Sequence, residues 1–441
     1  MSTLLLRGGR IIDPASELDQ TGDILIRDGV IESISHLALD VECDTIDCGG
    51  CIITPGLLDI HVHFREPSAG RHEETIRTGS MSAAKGGFTT VCTMPNTSPA
   101  TDTVESISTA YGIAREVGLC NVFPTCCATI GRLGETLAPI DEMCKLGAIA
   151  ITDDGVVVAS DDMMIASLRA AKKNDVPFMQ HCQDPTTTVG GVMHGGAIQE
   201  ELGYGPWPRI AEESIIERDI YLNEQIGASW HAQHLSSGGS VEIIRRARAN
   251  SQPISGEASP HHLLLTDRCC KSLGTQAKMN PPLREQSDID AIKEGIADGT
   301  ITVLATDHAP HPESTKSVSF KEASFGVVGL DCALALYVKA LIEDGVIEWM
   351  QMISMMTVQP ASLIRRPELG RLTEGGAADI TIIDPDHAWT IQKDSFATTG
   401  RNCPFDGWEV SATAIATIFG GKITYQALKD RANNCNSLDF V

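Results

Sequence analysis

Basic residues are outnumbered in this sequence: 34 Lys and Arg face 58 Asp and Glu, a formal net charge of −24, and no basic stripe breaks the acidic balance. Polyanions are held through clustered cations, so nucleic acid and anionic membrane surfaces are excluded as expected partners. Long hydrophobic runs are missing too. The longest apolar stretches have strand length and are interrupted by Gly, and the opening "MSTLLLRGGRIID" has no cationic segment ahead of an apolar run of signal-peptide length. The chain is therefore expected to be soluble, unexported and cytoplasmic. There is no 20-to-50-residue repeat and no low-complexity tract. Nor does a second CxxC follow "CGGC" at Cys48–Cys51 at zinc-finger spacing, so that pair, placed just before a strand, reads as structural. Fourteen Cys are present, but a chain of 441 residues that is 42% hydrophobic builds a core without staples, and reduced thiols are expected. The "CC" pairs at Cys126 and Cys269 carry no functional reading, and the sequon at Asn96 is idle in a chain that is not secreted.

What is present is a repeated pattern. The length exceeds what one simple core holds and predicts either a large α/β barrel with an extra domain or two separate domains, the elaborated barrel being the first expectation. Between residues 56 and 310 eight short apolar runs recur: "GLLDIHVH", "FTTVCTM", "NVFPTC", "GAIAIT", "VPFMQH", "ASWHAQH", "QPISGEA" and "ITVLAT". Stretches of helical periodicity separate them, among them "ETIRTGSMSAAKGG", "ESISTAYGIAREVG", "IDEMCKLG", "DDMMIASLRAAKKND" and "AEESIIERDIYLNEQIG". Eight strand-helix units closing on themselves make a (β/α)8 TIM barrel, expected over 56–364. Short β segments with Gly and Asp turns fill both ends of the chain. They predict a small β-sandwich domain built from 1–55 and 365–428, with 429–441 as a loose tail.

Barrel chemistry sits at the C-terminal ends of the strands. The first run ends in His61 and His63, two apart and so on one face of a strand. The second ends in "MPN" with Asn96, the fourth in "TDDG" with Asp153 and Asp154, the fifth in His181, the sixth in His234 and the eighth in "TDHAPH" with Asp307. Four imidazoles and two carboxylates suit a borderline divalent ion, zinc first, with manganese or cobalt permitted. Six donors are too many for one tetrahedral zinc that keeps a position for water. Two metals sharing a carboxylate use them more economically.

The blocks "DIHVHFREP", "MPNT", "TDDG", "SPHHLLL", "KMNPPLR", "ATDHAPH" and "FGVVGLD" resemble those of the amidohydrolase superfamily, and in combination those of the bacterial class I dihydroorotases, over essentially the full length. The resemblance implies reversible interconversion of N-carbamoyl-L-aspartate and L-dihydroorotate. It implies one or two Zn2+ per chain, His61, His63 and Asp307 holding one and His181 and His234 the other. Asp154 would bridge them where the wider superfamily carries a carboxylated Lys, with Asp153 as the alternative position. Asp307 would also be the general acid and base. Arg65, Asn96 and His311 would take the substrate carboxylate, with Asn280 and the backbone at Phe325 and Gly326 on the ring. An Arg fork matches a carboxylate bidentately, which makes Arg65 the strongest of these on physical grounds. His261 and His262 are read as structural, and Lys278 and Arg284 are open between pocket and barrel rim. A homodimer is implied, and a complex with aspartate transcarbamoylase is compatible with it.

Two rival readings are distinguishable. A hydantoinase, dihydropyrimidinase or allantoinase of the same barrel predicts a bridging Lys and has no need of a carboxylate clamp. An inactive homologue that scaffolds aspartate transcarbamoylase predicts lost ligands, whereas all six are present.

Overall fold

The computed structural model describes residues 2–68 and 74–427, together with the backbone of 438 and 439. Leu57–Val62, Phe88–Thr93 and Asn121–Pro124 pair in parallel in that order. Phe178–Gln180, Trp230–Ala232, Ile254–Ala258 and Val303–Leu304 do the same. Between the two sets lies "GAIAIT", which forms no regular strand; Ile151 bridges Cys126 on one side and Phe178 on the other. A parallel bridge from Val62 to His308 closes the ring. Every residue of the first two strands is buried, as in parallel sheets covered on both faces, which is why they read as continuous apolar runs.

The helices fall where the periodicity predicts them, at Ile76–Lys85, Val104–Val117, Ile140–Lys145, Asp161–Asn174 and Ile210–Asn223. Thr75 and Thr103 cap the first two through reciprocal bonds with Thr78 and Ser106. Asp161 and Asp162 open the fourth of these helices and Lys172 and Lys173 end it, matching the helix dipole. Gly79 decides how close the first helix comes: a Cβ there would lie 2.3 Å from the ring of Phe64, the residue after His63. Among the described residues no helix is long and apolar enough to cross a membrane.

The two ends of the chain meet in one β-rich domain. Thr3–Asp13, Leu18–Arg27, Val30–Ser35, Asp44–Asp47 and Ile52–Pro55 share a nine-stranded sheet with Ile380–Asp384, Thr413–Phe419 and Lys422–Ala427. The seam is antiparallel, Ile52–Pro55 against Ile380–Ile383. Leu6, Ile24, Ile53, Ile380 and Ile418 pack in its core. The turns at its two sides touch, since a Cβ on Gly421 would lie 2.5 Å from the Gly29 Cα, so the sheet wraps that core. Residues 389–410, inside the stretch expected to belong to this domain, do something different. Trp389–Thr390 pairs with Glu409–Val410, while Ile391, Phe396 and Phe405 pack with Met193, Met279, Phe320 and Leu336 in a separate cluster beside the barrel. Of the expected tail, 429–437 and 440–441 lie outside the described residues; the backbone of 438–439 pairs with Gln426 and Ala427.

No disulfide joins two of the thirteen described cysteines. Cys48 and Cys51 are buried in the β domain, and burial, then the neighbouring Cys51, pushes the Cys48 thiol up to about 12. Cys48 is not poised as a thiolate ligand. Cys48→Ser and Cys51→Ser are each expected to leave metal content per chain unchanged in elemental analysis; a fall in either variant would place a metal at this pair.

Candidate active site

Six side chains from five strand ends converge at the barrel mouth, all of them buried. His61 Nε2 lies 3.3 Å from Asp154 Oδ1 and 3.5 Å from Asp307 Oδ1. His63 Nε2 lies 3.0 Å from Asp307 Oδ1 and 3.6 Å from Asp154 Oδ2. His181 Nδ1 is 2.8 Å from His234 Nε2 and 3.7 Å from Asp154 Oδ1, with His234 Nε2 at 3.9 Å from the same oxygen. His61, His63 and Asp307 each place a donor atom within 4.8 Å of the others, as do His61, Asp154 and His234. His61 Nε2 is buried with no hydrogen-bond partner. Lone pairs facing one another at these distances are what a divalent ion satisfies, so the donor set fits one or two such ions.

The expected alternatives at "TDDG" separate. Asp153 accepts from the Ala128 and Thr129 backbone N–H groups at 2.9 and 3.1 Å and from Thr129 Oγ1 at 2.5 Å, and so holds the turn. Asp154 alone faces the donor cluster. His261 and His262 both contact Ser259 Oγ, and His262 Nε2 donates to the Pro281 carbonyl at 3.0 Å, away from the cavity. Lys278 and Arg284 lie neither in the pocket nor at the rim; both are buried in the wall. Arg284 donates to Trp207 O at 2.6 Å and to Ser236 Oγ at 3.1 Å.

Three of the site residues sit at positive φ: Arg65 at 60°, His234 at 32° and Asp307 at 49°. Non-glycine residues hold that conformation only where their surroundings over-determine it, and such residues cluster at working sites.

Sequence reasoning missed Glu257. It lies inside the seventh run, one of two to which no chemistry was assigned, and is fully buried. His61 Nδ1 donates to its Oε1 at 2.5 Å, His231 Nε2 to Oε2 at 3.0 Å and the His234 backbone N–H to Oε1 at 3.0 Å. Burial opposes its charge, yet His61 and His231 outweigh it and hold the carboxyl well below the usual range. The same carboxylate draws His61 upward, against burial, together with Asp154 and Asp307. Glu257 thereby fixes the far nitrogen of His61 and turns Nε2 toward the cluster.

Beside the donors opens a cavity of about 200 Å³, lined by Arg65, Asn96, Asn280, His311, Phe325 and Gly326 and by every donor residue except His61, which lies beneath. Burial pushes Arg65 down to about 10, against the pull of Asp307 and Asp154, and leaves it cationic at neutral pH. Burial, then Arg65 and Lys316, push His311 down to about 3, so it is neutral and donates through Nε2 to the Phe325 carbonyl at 2.6 Å. The charge available to an anion is thus that of Arg65.

The loop carrying Phe325 and Gly326 is held from below by two buried lysines. Lys316 Nζ donates to the carbonyls of Lys278, Ser324 and Gly326, using its three protons. Lys278 Nζ donates to those of Lys321 and Ala323 and lies 4.3 Å from the Phe325 ring centroid. Asn402, from the 389–410 segment, donates to Ala309 O and Gly326 O and accepts from the His311 backbone N–H.

Comparison with known proteins agrees with this geometry. The Dihydro-orotase-like family model matches residues 50–240 and the Amidohydrolase family model residues 268–425. A dihydroorotase of Geobacter sp. (strain M21) is 41% identical over 96% of this chain and 99% of its own, and one of Halalkalibacterium halodurans is 39% identical over 96% and 98%. Among solved structures, the L-hydantoinase of Arthrobacter aurescens superposes with a TM-score of 0.85 at 25% identity, covering 97% of this chain and 96% of that one. The dihydropyrimidinase of Brevibacillus agri NCHU1002 superposes with a TM-score of 0.82 at 20% identity, over 96% and 95%.

Proposed function

Because the chain belongs to the dihydroorotase family of the amidohydrolases, we propose that its site interconverts N-carbamoyl-L-aspartate and L-dihydroorotate in the manner of a bacterial class I enzyme, with zinc as the metal. The observation that carries the substrate is Arg65, a half-buried guanidinium lining the same cavity as the metal donors. A neutral ring would leave that charge unpaired; a ring bearing a carboxylate matches it with a bidentate fork.

Zinc bound at the six donors supplies a Lewis acid for the ring amide carbonyl and lowers the pKa of its water toward about 7. The chain supplies the rest. Arg65 pairs with the substrate carboxylate, Asn96 donates to it, and His311 packs beside it under the Phe325 loop. This fixes the ring with its amide toward the donor cluster. In ring opening the water oxygen bonds to the amide carbon and the C–N bond breaks. Asp307 takes the water proton and returns it to the departing ring nitrogen. Cyclisation runs the same proton backward: Asp307 removes it from the ureido nitrogen as that nitrogen attacks the side-chain carboxyl, and water leaves.

Hydrogen bonds to charged groups contribute roughly 1.5 to 3 kcal/mol each, so Arg65→Ala should lower kcat/KM for L-dihydroorotate by at least about tenfold. The unmodified protein should open dihydroorotate far faster than dihydrouracil, the same ring without the carboxylate. Equal turnover of the two rings, or full activity in the Arg65→Ala variant, would contradict a dihydroorotase and leave a metal-dependent amidase of neutral rings.

A further inference from the structure

Two asparagines line the cavity, and the histidines beside them orient the pair in opposite senses. His63 turns Nε2 to Asp307, so its proton is on Nδ1, which donates to Asn96 Oδ1 at 2.9 Å. The oxygen of Asn96 is used, and its Nδ2 is left as a donor, 3.4 Å from where a Gly155 Cβ would stand on the cavity wall. On the other side, His181 turns Nδ1 to His234 and Asp154, so its proton is on Nε2, which donates to Gln183 Oε1 at 3.1 Å. That oxygen also accepts from Asn280 Nδ2 at 3.0 Å. One interposed amide therefore reverses the outcome. Asn280 spends its nitrogen on Gln183 and keeps Oδ1, buried and without a hydrogen-bond partner among the described residues, on a side chain that lines the cavity.

Gln183 cannot turn over to relax this arrangement. Thr188 Oγ1 donates to the Asp184 carbonyl at 2.9 Å, so it faces Gln183 Nε2 as an acceptor at 3.4 Å. Every donor in the chain from His181 to Asn280 meets an acceptor in this orientation; rotating the Gln183 amide would set N–H against N–H twice.

We infer that Gln183 is a positioning residue that carries the proton orientation of the metal-side His181 to Asn280, so that Asn280 Oδ1 accepts from an N–H of the substrate's cyclic amide or ureido group. The inference rests on the site assignment above and extends it to substrate class: Asn96 reads an anion with a donor, Asn280 reads an N–H with an acceptor. A ring methylated on that nitrogen would meet a bare carbonyl oxygen with no proton to offer.

The test uses full-length, metal-loaded protein. One hydrogen bond is worth about a factor of ten, so Gln183→Leu is expected to raise KM for L-dihydroorotate about tenfold with a smaller change in kcat. Gln183→Ser, too short to reach Asn280, repeats the test with a polar side chain. Gln183→Glu, with two acceptor oxygens at the same reach, should restore KM to within about threefold of the parent. Asn280→Ala should raise KM by a similar amount, and the double variant should be no worse than Asn280→Ala alone, because the two act through one bond. Zinc retention against a chelator is a readout independent of turnover: partners of ligating imidazoles are worth about 10- to 100-fold in metal affinity, so Gln183→Leu should release zinc more readily and Asn280→Ala should not. A raised KM in Asn280→Ala with an unchanged KM in Gln183→Leu and Gln183→Ser overturns the relay alone, as do additive effects in the double variant. An unchanged KM in Asn280→Ala overturns the site assignment itself.

Discussion

Asp307→Asn is expected to lower turnover of L-dihydroorotate by about 10²- to 10⁴-fold, the usual contribution of a positioned acid-base group. Asn has the same shape and keeps an oxygen toward His63 Nε2, now 3.0 Å from Asp307 Oδ1, but it cannot carry a proton between water and ring nitrogen. The backbone at φ 49° is among the few left-handed positions that Asn occupies readily, so the melting temperature should hardly move. Elemental analysis separates the two roles proposed for this residue. Near-normal zinc with low turnover marks lost proton transfer, and zinc loss in parallel with activity marks lost ligation. Near-normal turnover would mean that another group moves the proton.

Glu257→Gln should lower metal affinity by about 10- to 100-fold, as expected for a partner that orients a ligating imidazole. The carboxylate accepts from His61, His231 and the His234 backbone at once. A carboxamide has one oxygen for these donors and turns its own N–H groups against the remainder, so at least one imidazole is pushed from its present tautomer or orientation. Dialysis against a chelator followed by zinc analysis reads the loss, and excess zinc should restore much of the activity. Retention equal to that of the parent protein would show that packing alone holds His61 in place.

The barrel and its donor set were legible because a parallel sheet buried on both faces writes strands as unbroken apolar runs, and His61, His63, Asp154, His181, His234 and Asp307 are conspicuous where those runs stop. Other features left no such mark. Glu257 stands within a run, and only the three-dimensional approach of His61 and His231 shows why a carboxylate belongs there. Lys278 was open between pocket and barrel rim and Lys316 drew no reading, because both are buried and satisfied by backbone carbonyls that no local pattern announces. The packing of residues 389–410 against Met193, Met279 and Phe320 depends on contacts between distant parts of the chain. Asp154 rather than Asp153 of "TDDG" faces the donor cluster because three hydrogen bonds from the turn at Ala128 and Thr129 hold Asp153, and those bonds have no local signature in the sequence.

The antiparallel seam of Ile52–Pro55 with Ile380–Ile383 joins segments separated by the whole length of the barrel. During synthesis the early strands emerge long before their partner, so Ile52 and Ile53 wait with an open, apolar edge while the entire barrel is being made. Such edges recruit other chains. A truncation that removes residues 380–384 would therefore not yield a barrel that has merely lost an ornament; it would leave a sticky strand at the threshold of His61 and His63, and loss of soluble protein should precede any loss of catalysis.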